Sequence, residues 1–213
     1  MKGKVNISDS LLTTVLLILY AVGVAGLQFS ETKSLFLAMV PGFLLVNLII
    51  LLFKHESFTK SFGLWALITY VIGFSAEWVG VHTGLIFGRY VYGPVLGWQL
   101  DEIPLIIGVN WVLLAYASRD IAGRVFKHPV LRILFAAVLM VLLDLQIEPV
   151  AQELNFWIWA DFQIPLQNYI GWFGVSVLLF SLSEWLFKRW YNPLSVQVYL
   201  GLYVFFTLLR LMQ

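Results

Sequence analysis

Two carboxylates, Asp144 and Glu148, stand inside the apolar stretch LRILFAAVLMVLLDLQIEPVAQELNFWIW, residues 131–159. An ionisable side chain at the centre of a bilayer costs ~2.5–3.5 kcal/mol on insertion scales, so such a residue is a functional-site hypothesis by default. Four residues apart, the pair shares one helical face and is separated by about 6 Å along the axis. Closely spaced carboxylates in a low dielectric resist double ionisation, so one of the two is expected to hold its proton near neutral pH. A neutral carboxyl beside an ionised one is an arrangement for general acid–base chemistry. The plain alternative is a buried polar pair that hydrogen-bonds to neighbouring helices.

The rest of the chain has to place these acids. Of 213 residues, 61% are hydrophobic and 12% charged, with a mean hydropathy of +0.88. A soluble domain carries about twice that charge. Repeated apolar runs of about 18–20 residues point to an all-α integral membrane fold, a single polytopic domain over residues 1–213. The runs predict seven spans: Leu11–Leu27, Leu35–Phe53, Phe62–Val81, Ile103–Ile121, Val130–Val150, Tyr169–Phe187 and Leu194–Met212. The first follows Lys2 and Lys4 like a signal peptide, but its apolar part is longer than a signal core, so it is read as a helix. With the N-terminus inside, Lys2, Lys4, Lys54, Lys60, Arg119, Arg124, Lys127, Arg132, Lys188 and Arg189 fall on the cytoplasmic side. Only Lys33, Arg89 and Arg210 fall opposite, in keeping with the positive-inside rule. Seven helices then leave the C-terminus outside. Glu184, four residues before Lys188 at a helix end, is expected to pair with it.

Counting up from the cytoplasmic ends, Glu77 and Asp144 lie at about 21–23 Å and Glu148 at about 27 Å. Three acids on two helices are thus expected to share the outer third of the membrane. Above them lie two loops. The first is HTGLIFGRYVYGPVLGWQLDEIP, whose Gly84, Gly88, Gly93, Gly97 and Pro94 mark tight turns and close backbone approach. The second carries Trp157, Trp159, Asp161, Pro165 and Asn168. Aromatic residues at this depth are commonly a membrane-interface belt; here they also cap the acids. Pro149 is expected to kink or end its helix beside Glu148.

Much cofactor chemistry is excluded. There is no cysteine, hence no thiol chemistry, disulfide or Cys-ligated metal. Three histidines cannot build a His-rich metal centre, and only His82 lies near the acids; Glu77, His82, Asp144 and Glu148 as a carboxylate metal site is the weaker reading. The last span lacks the lysine that a retinal Schiff base needs. No basic patch suggests nucleic acid.

Glu77-Trp-Val-Gly80 followed by Gly84, Phe87-Gly88, Tyr90, Tyr92 and Leu96-Gly97 resembles the signature of the carotenoid biosynthesis proteins, the family typified by bisanhydrobacterioruberin hydratase. Pro104, Trp111, Asp144, Glu148-Pro149, Trp157, Trp159, Pro165, Asn168 and Gly171-Trp172 continue it in order. The resemblance covers residues 74–172, about half the chain, and departs from the pattern at Ile86, where many members have Pro, and at Gln163, where many have Gly. It implies a carotenoid 1,2-hydratase, which adds water across the terminal C1=C2 bond of an acyclic ψ end group without a redox cofactor or oxygen.

Such chemistry needs a carboxylic acid to protonate C2, aromatic faces to stabilise the tertiary cation at C1, and a base for the attacking water. Asp144, Glu148 and Glu77 are the candidates for the acid and base roles. Tyr90, Tyr92, Trp157, Trp159, Trp78, Trp111 and Asn110 are the candidates for contact with substrate. His82, Arg89 and Asn168 are candidates for positioning water or charge. The expected partners are a lipid-soluble carotenoid, water, membrane lipids and other carotenoid enzymes, in the cytoplasmic membrane of a prokaryote. A carotenoid end-group cyclase would begin with the same protonation. A carotenoid or lipid carrier, or a proton-coupled transporter, is the non-enzymatic alternative.

Overall fold

The computed structural model describes residues 7–212, so Lys2 and Lys4 of the charge count lie outside the described residues. Eight helices form the body: α1 (Asp9–Gln28), α2 (Ser30–Ala38), α3 (Val40–Phe53), α4 (Lys60–Thr83), α5 (Leu105–Val125), α6 (Pro129–Glu153), α7 (Leu166–Leu186) and α8 (Ser195–Leu211). Local chemistry sets their limits. Ser8 and Thr59 cap α1 and α4, each side chain accepting from the amide three residues on. Gly84 ends α4 in the left-handed region at φ 69°, which glycine adopts without a Cβ clash. Prolines open α3, α6 and, as Pro165, precede α7.

Five helices (α1, α4, α5, α6 and α7) are long and apolar enough to cross a membrane, or six crossings if α2 and α3 are one broken span. Two of the seven predicted spans take a different form. The second, Leu35–Phe53, is split at Met39, and its halves meet at 58°, because Pro41 has no N–H to continue the ladder and disfavours helix just before it. The last, α8, is a 17-residue apolar helix, ~25 Å long, at the short end of the spanning range. The fourth span starts later than predicted: Ile103–Pro104 is a short strand, and α5 begins at Leu105. Pro149 does not end α6, which runs on to Glu153; the Leu145 carbonyl lacks only the donor that proline cannot supply.

The core runs along α5, which packs on α3, α4, α6 and α8; 78% of its apolar window is buried against 28–44% for the other long helices. α7 lies between α4 and α6, and α1 closes the far side against α2 and α8. Helices without a hydrophobic drive to associate use polar contacts as well. Tyr20 donates to Asn47 Oδ1 at 2.5 Å, Trp65 to Ser183 Oγ at 2.8 Å, and Tyr199 to the Leu139 carbonyl at 2.8 Å. Arg132 of α6 pairs with Glu184 of α7. Glu184 therefore does not take Lys188, which lies beyond the end of α7 at Leu186.

Four short strands lie at the end where the acids sit. Tyr90–Tyr92 (β1) pairs antiparallel with Trp157–Trp159 (β4), in the register Tyr90↔Trp159 and Tyr92↔Trp157. Gln99–Leu100 (β2) pairs with Ile103–Pro104 (β3). The β1–β4 ribbon joins the two loops that cap the bundle.

Candidate active site

Asp144 and Glu148 lie one turn apart on α6 and are fully buried. Opposite them, Pro165 starts α7 and sets Asn168 in its first turn. The Asn168 amide donates to Asp144 Oδ2 at 2.7 Å and to Glu148 Oε1 at 3.0 Å, bridging the pair. The other Glu148 oxygen accepts two indole N–H groups, Trp157 at 3.0 Å and Trp159 at 2.6 Å. Asp144 Oδ1 is buried with no hydrogen-bond partner among the described residues.

Glu77 reaches the same place from α4 and is 4% exposed. Its Oε2 accepts from Tyr90 at 2.5 Å and Tyr92 at 2.8 Å, and its Oε1 from the Trp111 indole at 3.0 Å. Successive strand side chains alternate faces, so residues two apart point together. Tyr90 and Tyr92 thus both turn toward Glu77, while Trp157 and Trp159 on the paired strand both turn toward Glu148. Val91 between the tyrosines is 59% exposed on the other face. Tyr90 and Trp159 meet with ring centroids 4.9 Å apart, and Tyr92 and Trp157 at 6.0 Å. Burial, with the Glu77 carboxylate next in weight, pushes both phenols well above their ordinary pKa and keeps them as donors.

Trp111 is held by stacking on Trp172, centroids 4.2 Å apart and planes 9° from parallel. It fits against α4 because residue 73 is glycine: a Cβ there would lie 2.2 Å from the Trp111 ring. Trp172, Phe87 and Ile107 join Glu77, Glu148 and Asn168 around a small chamber of about 20 Å³. A cavity needs roughly 10–15 Å³ to admit one water, so this one takes about one. None of those three was named as a site candidate from sequence, although Phe87 and Trp172 stand in the family pattern and Trp172 follows Asn168 by one helical turn on the same face.

The remaining candidates sit elsewhere. Trp78 is 41% exposed and donates to Asp101 Oδ2 at 2.6 Å, with its ring stacked on His82 at 4.6 Å. His82 lies 3.5 Å from Asp101, away from the acid chamber. Arg89 is exposed, and its carbonyl accepts from the Ala160 amide. Asn110 is half-buried at the chamber edge. Among the described residues no group of three or more His, Asp or Glu is placed to hold a metal ion; the oxygens of Glu77 and Glu148 face hydroxyl, indole and amide donors instead.

Helices of membrane-crossing length around a cluster of buried carboxylates, capped by an aromatic ribbon, define a helical membrane protein. The family described as carotenoid biosynthesis protein matches residues 34–213, and the chain belongs to it. A bisanhydrobacterioruberin hydratase from Haloarcula japonica is 34% identical over 119 residues, 51% of this chain. That match spans 41% of the relative's own length. No solved structure matches the chain.

Proposed function

We propose that this protein is a carotenoid 1,2-hydratase, working in the cytoplasmic membrane of a prokaryote with its N-terminus inside. The observation that carries the reading is the chamber: two carboxyls, each held by three donors, face a space the size of one water. Family membership supplies a carotenoid as substrate, and the hydratase relative supplies the reaction type.

Glu148 lines the chamber and has a second carboxyl, Asp144, one turn behind it. The pair shares one proton, because two anions at that spacing in hydrocarbon repel strongly. Glu148 delivers that proton to C2 of the terminal double bond, and the tertiary cation develops at C1. The faces of Trp157, Trp159 and Trp172 stabilise it through their quadrupoles, without a nucleophile that would trap it. Water then adds to C1, and Glu77, fixed as an acceptor by two phenols and an indole, takes the proton it releases. Glu77 and Glu148 both line the chamber, so the proton held on Glu77 returns to Glu148 through the next water that enters it, and Asp144, bridged to Glu148 by the Asn168 amide, holds the pair at one shared proton. The sum is addition of one water, with no electron transferred.

A carotenoid end-group cyclase would begin with the same protonation but let the substrate's own double bond capture the cation in place of water. Purified protein given lycopene in heavy-oxygen water is expected to yield a 1-hydroxy product carrying the label. A cyclic product of unchanged mass would instead identify a cyclase, and transport without any chemistry would identify a carrier.

A further inference from the structure

Next to the acid chamber lies a second and much larger cavity, of about 420 Å³, between α1, α3 and α8. Its size falls in the ~300–1,000 Å³ range of small-molecule sites. It is walled almost wholly by aliphatic and aromatic side chains, among them Phe43 and Phe205, stacked with centroids 5.2 Å apart. Its outer side is open: Val22 and Val46 on its rim are 50% and 39% exposed, on the flank of helices that face lipid. Gly42 forms part of the rim, and a Cβ there would meet nothing within 4 Å.

Its inner end meets the acid chamber. Ile107, Asn110 and Trp157 line both cavities. Trp157 is also one of the donors to Glu148, so the residue that separates the two spaces is fastened to an acid. The Asn110 side chain makes no hydrogen bond with any described residue, although it sits half-buried between an apolar wall and a polar one. An amide so placed is available to a mobile polar molecule.

Resting on the reading of the chamber as a hydration site, we propose that this groove binds the acyclic polyene laterally from the bilayer and guides its end group past Trp157 to Glu148. The break between α2 and α3 is then functional: the two halves meet at 58° and both line the groove, α2 through Phe36 and Ala38 and α3 through Gly42 and Phe43. Asn110, at the junction, holds the water that the end group meets. An apolar walled route of this kind selects an unfunctionalised isoprenoid end, because a hydroxyl entering it would lose its hydrogen bonds to water without replacement. The enzyme therefore acts before any reaction that oxygenates that end.

The test is lycopene binding to the purified protein, read by quenching of tryptophan fluorescence, alongside label uptake from heavy-oxygen water. Gly42→Phe and Val46→Phe fill the rim from two positions, and Gly174→Phe is the control, since that glycine is exposed with nothing within 4 Å of its Cβ on a helix outside the groove. Both rim variants are expected to bind lycopene at least tenfold more weakly, and Gly174→Phe to bind as the unaltered protein does. Glu148→Gln should keep binding while losing turnover. Unchanged binding in both rim variants, or an equal loss in the Gly174→Phe control, overturns the groove. If the rim variants alone lose binding but no protein ever incorporates label, the groove stands and the hydratase reading fails.

Discussion

Tyr90 stands directly across the β1–β4 ribbon from Trp159, yet the two side chains serve different acids: the phenol donates to Glu77 and the indole to Glu148. Tyr92 and Trp157, the next pair on that face, repeat the division. One small ribbon therefore sets the positions of carboxyls carried by two different helices, α4 and α6. Without it the acids would be held only by their own rotamers and by Asn168 and Trp111.

Glu148→Gln and Glu77→Gln preserve shape while removing acid–base capacity. Loss of a positioned proton-transfer group lowers rates by about 10²–10⁴-fold. Label uptake from heavy-oxygen water should fall by that amount with the protein still folded and inserted. Full activity in both variants would sink the assignment of roles.

Trp159→Phe keeps an aromatic face against Tyr90 and removes one donor to a buried carboxylate. Leaving a buried acceptor short costs about 1–3 kcal/mol. In kinetics on lycopene, kcat is expected to fall about tenfold or more with little change in KM, because the ring surface remains. A rise in KM with kcat unchanged would assign the ring to ground-state binding instead.

The two phenols give a pH signature. Their folded pKa values are raised by burial and by Glu77, while in the unfolded chain they titrate near about 10. Below that pH both states keep the proton and the stabilisation is complete. Above it the unfolded chain releases protons that the folded protein retains, so stability falls as pH rises. Thermal unfolding between about pH 8 and pH 11 should show this loss, and a Tyr90→Phe, Tyr92→Phe variant should show less of it.

Gly73→Ala places a methyl where the Trp111 ring now lies, at 2.2 Å. Overpacking of this kind costs about 1–3 kcal/mol. Because Trp111 also donates to Glu77, both melting temperature and turnover should drop. Gly63→Ala, in open space on the same helix, should change neither.

At the opposite end of the bundle, Glu184→Gln is expected to destabilise by about 1.5–3 kcal/mol by removing the charged partner of Arg132. Lys188→Gln should leave the melting temperature within error. A loss in the lysine variant instead would restore the pairing that helical spacing alone suggests.

What the sequence decided by itself was what local composition can decide. Apolar runs of sufficient length specify helices, and the cost of a charge in hydrocarbon makes Asp144, Glu148 and Glu77 conspicuous wherever they point. Depth counted along a helix was enough to bring the three acids to one level. Length and hydropathy did not reveal that the second run breaks at Met39 or that the last helix is short, since a proline near a helix start is compatible with either outcome. Spacing offered Glu184 a partner on its own helix, and packing supplied a better one on α6. The sequence places the aromatic loops over the acids, but a two-residue alternation says which side chains share a face without saying what that face meets. Only the pairing of β1 with β4, whose paired residues lie 65 or more positions apart in the chain, turned two tyrosines to one acid and two tryptophans to the other. That same long-range pairing put Trp157 between the acid chamber and the apolar groove, a position that no local pattern encodes.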